Sequence, residues 1–159
     1  MKKIRKLLFE PTKFFGGRLS FGESLKWYAI SSLLFSLLFT IANYTAFVKS
    51  IGFVSGVLVM YLLAWMMYII VGGLITLAAL SFGAKKIKKI FAAFSYSMIP
   101  LLLFGWIPVI GLFFVIWSLS LAFIGISKIE KMEYGKASLA VSIAVFIFVL
   151  IFMTSLAYV

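Results

Sequence analysis

Between Phe53 and Leu80 the chain runs for 28 residues without a charge. As a helix rising 1.5 Å per residue this is about 40 Å, longer than the ~30 Å hydrocarbon core of a bilayer. Lipid is the solvent such a segment requires, and it must tilt or project past one interface. Other apolar runs follow the same rule, and the whole chain is 65% hydrophobic and 12% charged, with a mean hydropathy of +1.21. Soluble domains carry about 25% charged residues. A water-soluble core formed from 159 residues could not bury so much Phe, Leu and Ile. The expected fold is all-α, a single polytopic membrane domain of five transmembrane helices at about 27–48, 53–82, 88–104, 107–127 and 137–158.

The charges between these runs give the threading. Lys85-Lys86-Ile87-Lys88-Lys89 lies between two apolar segments, within the connection 83–89. The leader through Lys26 holds seven positive residues, the lysine cluster four and the connection 128–136 three. Intervening connections hold Lys49 alone or nothing. Lysine-rich and lysine-poor connections thus alternate, as the positive-inside rule demands of one consistent threading. The expectation is a cytoplasmic N-terminus and an external C-terminus in a prokaryotic cell membrane. The net charge of +11 is read as topology and attraction to anionic headgroups, not as affinity for nucleic acid.

Local signals divide the chain further. Ile4, Leu7 and Leu8 share one side of a short basic helix suited to the headgroup region, and Pro11 ends or restarts it. Phe14 and Phe15 then offer a second apolar contact, for lipid or a partner. Ser20 and Glu23 have capping-box spacing at the start of the first span. Gly52 and Gly56 form a G-x-x-x-G that permits close helix approach, and Gly72-Gly73 invites a bend. The third span carries Ser95, Tyr96, Ser97 and Pro100; the proline frees a carbonyl that the neighbouring hydroxyls could satisfy. Spans three and four are expected to be short, or a re-entrant hairpin. Gly135 is expected to terminate a helix, and Ala140, Ala144, Ser138 and Ser142 to provide small contacts in the fifth span.

Several chemistries lack their residues. The chain has no Cys, His or Asp, so no thiolate, no histidine base and no cysteine or histidine metal site can be built. No phosphate loop is present. No catalytic, metal or cofactor-binding residue is assigned. Glu130 and Glu133 could share a helix face, but Lys128, Lys131 and Lys136 lie among them and favour an ion-paired loop. The apolar runs contain no ionisable Asp, Glu, Lys or Arg, which disfavours proton coupling and voltage sensing. A neutral pathway along Ser95, Tyr96, Ser97, Ser118 and Ser120 is the remaining transport option, set against hydroxyls that simply bridge helices.

The order of features resembles a known family. A leader with Pro11-x-x-Phe14-Phe15 precedes five apolar runs; Tyr96-x-x-Ile99-Pro100 lies in the third, Ile116-Trp117 in the fourth, and Lys136-Ala137 opens the fifth. This looks like the Yip family, named for proteins that interact with Ypt/Rab GTPases. The resemblance implies five spans and a cytoplasmic N-terminus. Eukaryotic members act in traffic between endoplasmic reticulum and Golgi, bind prenylated Rab GTPases and associate with one another. This sequence has about two dozen residues before the first apolar run and lacks the Asp-Leu-Tyr-Gly-Pro motif, so it is more similar to the short prokaryotic branch and Rab binding is not carried over. The expected role is a non-enzymatic scaffold or adaptor, without cofactor. It would bind other membrane proteins, itself or anionic lipid, with Lys85, Lys86, Lys88 and Lys89 as the contact. The alternative is a small oligomeric channel or transporter for a neutral solute or lipid.

Overall fold

A computed structural model describes residues 2–17, 19–43 and 52–157. Among the described residues there are seven helices. Two short ones open the chain, α1 (Lys2–Phe9) and α2 (Pro11–Phe15). Five long ones follow: α3 (Phe21–Ala42), α4 (Phe53–Ser81), α5 (Ile87–Phe104), α6 (Pro108–Glu130) and α7 (Tyr134–Ala157). All five long helices are long and apolar enough to cross a membrane. The expected far end of the first span, with Tyr44, Thr45 and Lys49, lies outside the described residues, as do Tyr158 and Val159.

The long helices close into a ring. In order around it, α3 packs on α5, α5 on α6, α6 on α7, α7 on α4, and α4 on α3. The ring turns its large side chains outward: Leu58, Leu62, Met66, Ile69, Leu112 and Ile116 are all exposed, which places them toward lipid. Its inner faces are marked by small and hydroxylated residues instead. Along α3, Ser24, Tyr28, Ser32, Ser36 and Thr40 recur at four-residue spacing and are buried. Ser36 Oγ donates to the Ser32 carbonyl and Thr40 Oγ1 to the Ser36 carbonyl, each at 2.7 Å. The serine and threonine hydroxyls are thus satisfied on their own helix, and their small volume lets backbones approach. On α7 the buried face is Ala137, Ala140, Val141 and Ala144.

The third span, α5, is the innermost: Ala92 through Ser97 are buried without interruption. Its 18 residues reach about 27 Å, and the 23 residues of α6 about 34 Å. The fourth span is therefore not short. It starts with Pro108 in the first turn, where a proline's missing donor is harmless, and continues helically through Lys128 to Glu130.

Three local expectations are corrected. Gly135 does not end a helix; it lies in the first turn of α7, and the reversal is made by Lys131 in the left-handed region at φ 55°. Gly52 does not join Gly56 on a helix face, because it caps α4 with φ 79° and is exposed, while Gly56 is buried within the helix. The hydroxyls beside Pro100 bond other carbonyls: Ser95 Oγ donates to Phe91 and Ser97 Oγ to Ala93. They are one helical turn behind their own positions, as serine in a membrane helix commonly arranges.

Gly72 has a packing reason. A Cβ built there would stand 2.9 Å from Phe94 Cδ1 and 3.1 Å from Phe91 Cε1, whereas one at Gly73 would meet nothing within 4 Å. Gly72→Leu should therefore force α4 from α5 and destabilise the bundle by about 1–3 kcal/mol. Gly73→Leu should leave it unchanged. Thermal unfolding of both variants in detergent checks this; equal behaviour would sink the argument.

Candidate functional site

The three lysine-bearing segments meet at one end of the ring, and Glu130 is what joins two of them. The chain turns out of α4 at Gly83, φ 93°, and Ala84 is buried. Lys85 and Lys86 then present backbone N–H groups ahead of the first turn of α5. The Glu130 carboxylate accepts both, from Lys85 at 2.9 Å and from Lys86 at 3.0 Å. Lys86 Nζ reaches the Ile129 carbonyl at 3.2 Å. Glu130 thus caps a helix 44 residues distant, doing across the fold what an N-cap side chain does locally. Negative charge there also suits the helix N-terminus. Glu133 pairs with Lys136 at 3.7 Å, so the two glutamates do not form a site together.

Glu130→Ala removes the acceptor for two amides. The start of α5 should loosen by about 0.5–2 kcal/mol, the usual cost of a lost cap. Hydrogen exchange at the Lys85 and Lys86 amides should speed accordingly. Unchanged exchange would mean that water replaces the carboxylate without loss.

The third segment is the leader, and it is folded onto this end. Proline at the first position of α2 restarts the helix after α1. Lys13 sits 2.9 Å from Glu10 and, with its hydrogen bond, holds that carboxyl below its ordinary pKa. Leu7 and Phe15 are 1% and 2% exposed and pack with Ala93, Tyr96, Ile99 and Leu121. Phe14 is half-buried, edge-on to Tyr96 with ring centroids 5.0 Å apart. Phe15, expected to meet lipid or a partner, is instead turned into its own bundle. Gly125 makes the seat, since a Cβ there would lie 3.0 Å from Ala93 Cβ and 3.1 Å from Phe15 Cε1.

Docking the leader creates a recess of about 170 Å³ lined by Phe15, Gly16, Gly17, Leu19, Lys89, Lys128 and Ile129. Lys89 and Lys128 line it and are exposed, as are Lys85, Lys86 and Lys88 in the same connection. Lys128 Nζ stands 5.6 Å over the Tyr134 ring. The neighbouring carboxylate Glu130 uses both oxygens on backbone amides. Among the described residues, Lys85, Lys88 and Lys89 form no ion pair with Asp or Glu. The arrangement offers concentrated positive charge over a glycine turn to an external anion.

The remaining sequence-assigned residues are elsewhere. Ser95 Oγ accepts from Tyr68 Oη at 2.8 Å and so bridges α5 to α4. Tyr96 lies under the leader, and Pro100 is buried in α5. Ser97 and Ser120 donate to carbonyls of their own helices; Ser118 is buried with no partner among the described residues. Among the described residues no group of three or more acidic, His or Cys side chains could hold a metal.

Comparison with known proteins gives one match. The family model of the Yip1 domain matches residues 5–156, nearly the whole chain. Neither the curated proteins nor the solved structures return a match.

Proposed function

Because the chain belongs to the Yip1 domain family and is an integral multi-pass membrane protein, we propose that it is a non-enzymatic membrane organiser whose lysine end recognises anionic lipid headgroups. The observation that carries this reading is the exposed lysine cluster at this end: among the described residues Lys85, Lys88 and Lys89 form no ion pair with Asp or Glu, and Glu130 bonds backbone amides. A lysine near an anionic surface contributes about 1 kcal/mol. Cations lying just outside apolar helices also sit at headgroup level, where their stems cover hydrocarbon and their ammonium groups reach phosphate. The lysine end then faces the cytoplasm, in accord with the positive-inside rule. Anchored to anionic lipid by that end, the ring would gather lipids or neighbouring membrane proteins around its apolar exterior.

The protein in neutral detergent should bind dioctanoyl phosphatidylglycerol in preference to the matching phosphatidylcholine. That preference should fall as salt rises from 0.1 to 1 M and the screening length shrinks from about 10 to 3 Å. Equal binding of the two lipids at low salt would overturn the reading.

A further inference from the structure

Inside the ring, away from the lysine end, lies a cavity of about 490 Å³ to which all five long helices contribute. Its wall includes Phe35 of α3, Met60 of α4, Met98 of α5, Leu119 of α6 and Val149 of α7. Polar side chains reach it only at one end, where Tyr28 and Tyr68 stand, and both hydroxyls are occupied. Tyr28 Oη donates to the Ala64 carbonyl at 2.7 Å and Tyr68 Oη to Ser95 Oγ at 2.8 Å. Among the lining side chains a polar solute would find no free donor and only the two tyrosine oxygens as acceptors, and water is poorly retained by a void so largely apolar. Along α5 the cavity runs from Phe94 to Gly105, 11 residues or about 16 Å. That is the depth of one leaflet, half of a ~30 Å hydrocarbon core.

We propose that this cavity holds one acyl chain of a phospholipid from the surrounding bilayer, drawn from the leaflet opposite the lysine end. Length, apolarity and position all match a hydrocarbon chain, and the unbranched Met60 and Met98 side chains let the wall adapt to it. The headgroup would remain outside the ring at the Gly105 end. Selection is therefore by chain, not by charge, and it is independent of the lysines.

The full chain, delipidated in detergent and given 1-palmitoyl-2-oleoyl phosphatidylcholine, should retain about one lipid per chain by native mass spectrometry. The phosphatidylglycerol of the same chains should be retained at this site equally well, and replacing the lysines should not matter. Met98→Trp and Val149→Trp each fill part of the cavity, so retention should fall about tenfold or more, the effect of losing two methylenes of burial. Leu112→Trp, on the exposed outer surface, should retain it. Phosphatidylcholine carrying a diazirine on its acyl chain gives a second readout on the unaltered protein, with labels expected at Met60 and Met98. No retained lipid, retention unchanged by the filling variants, or labels confined to outward residues such as Leu62 and Met66 would each overturn the proposal. Because phosphatidylcholine is neutral, these failures are separate from any failure at the lysine end.

Discussion

Replacing Phe15 with alanine is expected to release the leader from the bundle. The ring is 2% exposed and sits against Ala93 and the backbone of Gly125, with Phe14 edge-on at 5.2 Å. Truncating a buried phenylalanine costs about 3–5 kcal/mol through lost burial and the void left behind. Five-residue α2 has no other fully buried side chain, so it has little with which to compensate. A protease added from the leader side should cleave near Gly16-Gly17 in Phe15→Ala protein while sparing the unaltered protein. The recess should disappear with it, because Phe15, Gly16 and Gly17 form one wall. Equal resistance of the two proteins would mean that α1, through Leu7, holds the leader alone.

Exchanging Lys85, Lys86, Lys88 and Lys89 for glutamine should have the largest effect on lipid recognition. Four lysines at about 1 kcal/mol each amount to ~4 kcal/mol, or nearly a thousandfold in affinity for an anionic surface. Folding should survive, since the four side chains are exposed and Glu130 bonds the backbone of this loop, not its ammonium groups. The seven positive residues of the leader and the three of the last connection remain to direct insertion. Accessibility of a tag at the N-terminus distinguishes a change of threading from a change of binding. Phosphatidylglycerol affinity equal to that of the unaltered protein would leave the cluster with topology alone.

Much of this architecture is legible in the sequence. Uncharged length gives the five spans, and the Ser20–Glu23 spacing gives the start of α3, where Ser20 Oγ accepts from the Glu23 amide at 3.5 Å. Pro11 gives the break between α1 and α2. What hydropathy does not carry is which face of a span points inward. A membrane helix is apolar all round, so no amphipathic stripe marks the core. The inward face of α3 is written in Ser24, Ser32, Ser36 and Thr40, a four-residue spacing that is present in the sequence and easily passed over as scattered hydroxyls. The docking of Phe15, the capping of α5 by Glu130 and the central cavity depend on residues far apart in the chain. Nothing local distinguishes a leader helix that lies in lipid from one that folds back on Gly125. The lysines are the strongest site signal; that Glu130 bonds the backbone rather than their ammonium groups is hidden in the sequence by the lysines beside it.

The most direct test of the account is to extract the protein in native-lipid particles and weigh everything that comes with it. Anionic phospholipid enriched over the bulk membrane, with or without a stoichiometric protein neighbour, is the result predicted for a lysine end that recognises headgroups. Lipid of bulk composition, unaffected by exchanging the four lysines, would contradict it.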